Sequence, residues 1–374
     1  MKTKQQICYI TYQSFPAETA NSLQTISNIK YLVKNNANVK LIFPLREKNS
    51  DDSIKKIMEY YSIDEKFIIV GVKHFLPFGK IKFLEGFFFH ISHFLWSLFV
   101  TIFKIDKSEE IKYLTRSDWV FYFLAKRGFN VVFECHQTSK IRDFIIGRLK
   151  KYKNVRFIFL NSNLQTYYKM NDSNSEVIHN GVDEEIFMRL NNFSENEREG
   201  LVFVGNLKRF NKNRGLEFII EAFKKSSFLQ DKKLLIVGGP EQEAQKLKDK
   251  ISKLNLTENI TVLGRLGRFE IAEIYKNSNI GILINSSSNQ HSYEFTSPLK
   301  YFEYMYAGLK VVGVDFPSHR VLPNSSEISF FEENSISSFE NAVMTATKKK
   351  KTDNLDIKDF SLDVRAKKIL KLLS

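Results

Sequence analysis

Short apolar runs rich in Val, Ile and Phe punctuate the chain, and helix-like segments separate them. In the first half they fall at 7–12, 39–44, 67–72, 111–116, 131–135, 155–162 and 176–181. In the second half they fall at 201–206, 234–239, 260–264, 280–285, 311–315 and 328–331. A run that is apolar throughout, rather than at every second position, reads as a strand covered on both faces. Such strands alternating with helices predict parallel sheets. Thirteen are too many for one simple sheet, and 374 residues exceed the usual size of one core. The pattern therefore predicts two doubly wound α/β domains. The polar stretch 183–200, "DEEIFMRLNNFSENEREG", lacks periodicity and marks the joint. Residues 1–182 form the expected N-terminal domain, 183–199 the linker and 200–356 the second domain, with a helix over 357–374 packing back on the first. Between two such domains, at the carboxyl ends of their strands, a ligand cleft is expected.

One segment breaks the alternation. Residues 75–103 are the most hydrophobic part of the chain, and no Lys, Arg, Asp or Glu occurs from Gly86 to Phe103. His90, His93, Ser97 and Thr101 recur at steps of three and four, which draws a polar stripe on a mostly apolar helix. A spanning helix has no need of that stripe. Two placements remain open, on a membrane surface or buried against the first domain. Flanking Lys80, Lys82, Lys104 and Lys107 favour an anionic membrane surface.

Composition narrows the classes. Hydrophobic content of 43% and charged content of 26% belong to a folded chain, not a disordered one. Cys8 and Cys135 provide neither a disulfide framework nor a metal cluster. The N-terminus passes straight into a strand pattern, so a reducing cytoplasmic setting is expected. Of the net charge of +14, residues 1–180 carry +11, from 27 Lys/Arg against 16 Asp/Glu. A basic first half suits nucleic acid, anionic lipid or a phosphorylated substrate, as well as plain solubility. The basic residues form no aromatic-interleaved module, so nucleic acid is not expected as a partner.

Candidate chemistry concentrates in "HSYEFTSPLKYFEYMYAGLKVVGVD", 291–315. Ser297 suits a helix N-cap, Pro298 the first helical position, and Gly308 the place just past the helix end. A helix N-terminus offers free N–H groups and partial positive charge to an anion. Leu299 lies in its first turn, Lys300 adds a full charge there, and Glu303 follows about one turn later. That spacing suits a nucleotide, with diphosphate on the Lys and ribose hydroxyls on the Glu. The segment 201–223 reads as strand, basic loop and amphipathic helix. Gly205 lets the backbone turn closely, Asn206 follows it, and Lys208, Arg209, Lys212 and Arg214 place cations at the turn. In the first half, His136 and Arg116 each close a strand. The polar loop 13–22, which contains Phe15 and Asn21, lies where an acceptor would dock. No Walker loop, GxGxxG, Ser-His-Asp set or clustered metal ligands occurs, and Asp51–Asp52 follow no strand.

In order and spacing, "FECH" ending at His136, "VIHNGVD" (177–183), "FVGNLKRFNKNRGLEFIIEAF" (203–223) and "SPLKYFEYMYAGLKVVGVD" (297–315) resemble family 4 of the retaining glycosyltransferases. The resemblance covers nearly the whole chain. It implies the GT-B architecture of two facing Rossmann-like domains. It also implies transfer of a sugar, with retention, from a nucleotide diphosphate-sugar to an acceptor hydroxyl, without a cofactor or metal; the basic first half and the aromatic helix point to a glycan or lipid-linked acceptor. Arg214 then resembles the residue gripping the donor diphosphate, and Glu303 the second Glu of the family's paired motif, on the ribose. Ser297 to Lys300 resemble the loop and helix start over the phosphates, and His136 the histidine near the donor sugar. Two places depart. The family's glycine-arginine-leucine turn reads Gly205-Asn206-Leu207, leaving Lys208 or Arg209 to stand in. The first Glu falls at Phe295, with Glu294 one place off. A UDP-GlcNAc 2-epimerase type of enzyme, or a non-catalytic nucleotide-sugar-binding partner of a transferase, shares much of this pattern.

Overall fold

The structure, a computed structural model, describes residues 4–74, 85–105, 108–188, 198–209, 212–350 and 357–374. Each of the thirteen apolar runs forms a strand. Those of the first unit are β1 (Gln6–Ile10), β2 (Asn38–Leu45), β3 (Ile68–Lys73), β4 (Ile111–Thr115), β5 (Val131–Cys135), β6 (Val155–Phe159) and β7 (Ser175–Val177). They make one parallel sheet in the order β3-β2-β1-β4-β5-β6-β7. The second unit holds β8 (Glu199–Val204), a short hairpin β9 (Lys208–Arg209) and β10 (Lys212–Asn213), then β11 (Leu234–Val237), β12 (Ile260–Gly264), β13 (Ser278–Leu283), β14 (Lys310–Val314) and β15 (Ile328–Phe331). Its parallel sheet runs β12-β11-β8-β13-β14-β15, and the hairpin is a separate two-stranded piece.

Residues 1–178 and 362–374 form one compact unit, and 179–361 the other. The C-terminal helix Leu362–Leu373 belongs to the first, where Leu362, Ala366, Ile369 and Leu373 join the core made by Ile26, Ile29, Leu32, Tyr9, Leu41 and Phe43. In the second unit the strands show why their runs are continuous. Leu201 and Phe203 of β8 enter one core with Ile219, Ile220 and Phe223, while Val202 and Val204 enter the opposite one with Tyr275, Tyr301 and Tyr304. Both faces are covered, so both sets of alternate residues are apolar.

The order of strands also fixes where ligands are expected. The second sheet grows from β8 outward through β11 and β12, then restarts beside β8 at β13 and grows the other way. Between β8 and β13 the strand order reverses, and the carboxyl ends of such a pair open a crevice. The first sheet has the same reversal between β1 and β4.

The aromatic segment forms a 19-residue helix, Glu85–Phe103, long and apolar enough in length and composition to cross a membrane. Its polarity is inverted. His93, Ser97 and Thr101 of the polar stripe are buried with Ser92, Trp96 and Val100, while Phe87, Phe88, Ile91, Leu95, Ile102 and Phe103 are exposed. Phe87 and Phe103 keep 62% and 68% of their surface in solvent. His93 stacks on Tyr12 at 4.3 Å between ring centroids, and Phe94 packs edge-on against Trp119. The inner face is thus seated on the unit and the outer face is apolar. Lys80, Lys82 and Lys107 lie outside the described residues.

Candidate functional site

In the second unit, the reversal between β8 and β13 is tied together by one side chain. Arg214, which follows the hairpin after β8, donates from Nε and Nη2 to Asn285 Oδ1 at 3.0 and 2.7 Å. It also donates from Nη2 to the Ile284 carbonyl at 3.3 Å and from Nη1 to the Asn206 carbonyl at 3.2 Å. Its guanidinium lies over the Phe203 ring. A rigid cation therefore sits at the carboxyl ends of both strands, where an anion is expected. One glycine makes room for it, and a second lets two strand ends meet. A Cβ on Gly205 would lie 2.8 Å from Arg214 Nη1, and one on Gly238 would lie 1.8 Å from the Gly205 carbonyl oxygen. Only hydrogen at Gly238 lets the ends of β8 and β11 approach this closely.

The chain leaves β13 through a single π-helical turn, His291–Phe295, and enters the helix Leu299–Tyr306. That helix begins one residue later than the sequence suggests. Pro298 is the N-cap, in an extended conformation (φ −71°, ψ 121°), so it is not the first helical residue. Ser297 does not cap. Its Oγ is buried and accepts no hydrogen bond, while its carbonyl accepts Asn180 Nδ2 at 2.6 Å. The helix ends as expected, with Gly308 at φ 74° and the Leu309 N–H returning to the Tyr304 carbonyl. Tyr301, Phe302, Tyr304 and Met305 form its buried face. The Tyr304 hydroxyl accepts the Val204 N–H at 3.1 Å, which pins the helix to the end of β8.

The opposite face carries the polar groups. Lys300 Nζ lies 2.6 Å from Glu303 Oε2, and the buried Tyr275 hydroxyl donates to the same oxygen at 2.7 Å. Lys300 and Glu303 are thus paired with each other rather than standing apart, and Glu303 Oε1 accepts no bond from within the described residues. Tyr275 holds its phenol proton far above the usual range because of burial first and the Glu303 charge second, so it remains a donor. Lys208 does not point a lone charge at the crevice. It is bound to Glu243 Oε1 at 2.8 Å, which Lys246 shares at 2.9 Å. The Arg209 side chain lies outside the described part. Phe295 is buried, and Glu294 Oε2 accepts from Gln290 Nε2 at 3.2 Å.

In the first unit, Arg116 and His136 meet after β4 and β5. Arg116 donates to Gln24 Oε1 at 3.2 Å, Asn21 Oδ1 at 3.5 Å and His136 Nδ1 at 2.7 Å. An Arg nitrogen can only donate, so Nδ1 accepts and the ring proton sits on Nε2, 2.5 Å from Glu134 Oε1. Burial, then Arg116, pushes His136 down to about 3, so it is neutral. Both ring nitrogens are engaged, so His136 is held neutral and in one orientation. Phe15 departs from the expectation: it is fully buried against Phe43 and Tyr61, a core residue rather than an acceptor contact. Sequence reasoning missed Asn285, Tyr275, Asn180 and Gly238. Of these only Asn180 lay in a recognised motif.

The fold these elements define is GT-B, with two Rossmann-like parallel-sheet domains. Over 99% of its length the chain is similar to a glycosyltransferase from Rickettsia africae (15% identity, 98% of that chain, TM-score 0.67). It is similar over 99% to Anabaena Alr3699/HepE, solved with UDP and glucose (13% identity, 99% of that chain, TM-score 0.64). It also resembles S. aureus TarM, solved with Fondaparinux, alpha-GlcNAc-glycerol and UDP (11% identity, 99% of this chain, 100% of that one, TM-score 0.66). No curated protein matches the chain by sequence. Residues 188–357 match the family described as Glycosyl transferases group 1.

Proposed function

We propose that the protein transfers a sugar, with retention of anomeric configuration, from a nucleotide diphosphate-sugar to an acceptor hydroxyl. The observation that carries this reading is the crevice between β8 and β13. There Arg214 is fixed across both strand ends, and the helix starting at Leu299 presents Lys300 and Glu303. The diphosphate would exchange places with Glu303 on Lys300, accept N–H groups of the helix N-terminus and the Ser297 hydroxyl, and lie near Arg214. Glu303, held by Tyr275, would receive the ribose hydroxyls. Cations fixed before the reaction stabilise the charge that develops on the departing diphosphate. The bond from the anomeric carbon to phosphate oxygen breaks with its electron pair, the acceptor oxygen bonds that carbon on the same face, and the departing oxygen takes the acceptor proton. This route needs neither a protein base nor a metal, which agrees with a neutral, doubly bonded His136. Arg116 and Asn21 supply the acceptor side.

The test is product analysis after incubation with UDP-, GDP-, ADP- and CMP-sugars and a panel of hydroxyl acceptors. Release of nucleotide with an acceptor-linked sugar of unchanged anomeric configuration supports the reading. Isomerised sugar without acceptor, or nucleotide binding with no turnover, speaks against it.

The inverted helix supports the acceptor class. An exposed row of Phe88, Ile91, Leu95 and Ile102, with Lys104 at its end and a first half of net charge +11, suits an anionic bilayer surface at the cytoplasmic face. A lipid-linked or cell-surface glycan acceptor follows. Trp96 is buried and serves as the inward control. Phe88→Glu with Leu95→Glu should abolish flotation with phosphatidylglycerol vesicles, and unchanged flotation would remove the membrane argument.

A further inference from the structure

We infer that Arg365, on the C-terminal helix, is a positioning residue for His136 and acts through Glu134. Its importance for turnover rests on the transferase reading; the contact itself does not. Glu134 lies inside β5 with its carboxylate in the core, and Arg365 reaches it from 231 positions later. Arg365 Nη2 donates to Glu134 Oε1 at 2.7 Å and Nη1 donates to Asn28 Oδ1 at 3.0 Å. Both charged side chains are nearly inaccessible, Arg365 at 3% and Glu134 at 1%.

Neutralising a buried carboxylate requires only some cation. The geometry here does more. Arg365 and the His136 Nε2–H converge on the same oxygen, Oε1, while Oε2 is buried and accepts nothing. The fork of Arg365, fixed at its other prong by Asn28, therefore sets the carboxylate rotamer that holds Nε2–H. On the far side of the ring Arg116 donates to Nδ1. The groups facing His136 are two cations, Arg116 and Arg365, one anion, Glu134, and the uncharged phenol of Tyr9. Burial first, then Arg116, and to a lesser degree Arg365, disfavour imidazolium against the pull of Glu134. The ring is kept neutral, in one tautomer and one orientation, with Nδ1 as the position where a substrate hydroxyl would exchange with Arg116.

Without Arg365 one cation faces one anion, so Glu134 draws a proton onto His136 more strongly, with burial and Arg116 still opposing it. A charge at this distance moves a titratable group by about 1–3 pH units. The experiment is a long-range proton–nitrogen spectrum of the full chain carrying 15N-histidine. There are seven histidines, and His136→Gln identifies the signal. Wild type should show His136 as the neutral Nε2–H tautomer, untitrated down to about pH 5. Arg365→Gln, which retains a polar group for Asn28, should move its titration up by about 1–3 pH units, and Arg365→Lys should bring it back down. Under the transferase reading, kcat of Arg365→Gln falls by about 10–100-fold with KM for the nucleotide-sugar unchanged. A folded Arg365→Gln protein whose His136 signal matches wild type overturns the proposal. If that variant does not fold, wild type and Arg365→Lys still decide, because a His136 titrating near 6.5 or protonated on Nδ1 in either overturns it. The spectrum needs no sugar nucleotide, so failure of the transferase reading leaves this test intact.

Discussion

Acidification should weaken the first unit well before any carboxylate in it is protonated. Burial drives His93 down to about 3, with His90 and nearby arginines adding to the effect, and burial and Arg116 do the same to His136. In the unfolded chain both return to about 6.5. Between pH 7 and pH 5 the unfolded state therefore binds protons that the folded state refuses. A histidine with a depressed folded pKa contributes its stability above 6.5 and loses it as pH falls toward the folded value. Each contributes a loss of about 2 kcal/mol over this interval, and the pair about 4 kcal/mol. For a unit of this size that lowers the midpoint by about 8–16 °C. Glu134 does not confuse the measurement, because unfolded glutamates protonate only below about 4.3. His93→Phe retains a ring to stack on Tyr12 and removes a buried Nε2 that has no hydrogen-bond partner. Half-buried His74, held down to about 4 by burial and then Arg46, adds to the same loss, so calorimetry at pH 7, 6 and 5 should show the acid-induced drop cut by about a third in that variant. Equal drops in wild type and His93→Phe would refute the claim that His93 is buried neutral.

Tyr275→Phe removes a donor from Glu303 Oε2 but leaves Lys300 in place. Since Glu303 is partly exposed and water can replace the hydroxyl, the loss should be about 1 kcal/mol, with weaker nucleotide binding. Identical urea midpoints and affinities would contradict this role for Tyr275. Gly238→Ala puts a Cβ into the Gly205 carbonyl, and backbone rather than a flexible side chain must yield. It should cost about 1–3 kcal/mol, and thermal unfolding within a degree of wild type would show that the close approach of β8 and β11 is unimportant.

The sheets were legible because strands buried on both faces have no polar positions to hide them; Leu201 to Val204 could be read without knowing which residue faces which core. The hairpin at 208–213 was not, being two residues a side and polar. The helix at 85–103 was readable as a helix with one polar stripe, but periodicity gives no sign for the direction of burial. The unit turned His93, Ser97 and Thr101 inward. Lys300 and Glu303 were found as candidates, yet their pairing required a rotamer choice that spacing leaves open. Ser297 and Pro298 moved by one position because Pro298 took an extended rather than helical conformation. Phe15 stood in a polar loop and gave no hint of reaching Phe43. Contacts such as Arg365 with Glu134 and Arg214 with Asn285 join residues 231 and 71 positions apart, beyond any local pattern.

The most direct test of the central claim, a nucleotide diphosphate held at the carboxyl edge of β8 and β13, is thermal unfolding with saturating nucleotide-sugars in wild type, Glu303→Ala and Lys300→Ala. At a hundredfold excess over the dissociation constant, binding stabilises by about 2.7 kcal/mol, a rise of about 5–11 °C. One nucleotide should raise the wild-type midpoint by this amount and neither variant's. A rise of equal size in all three proteins would place the nucleotide elsewhere.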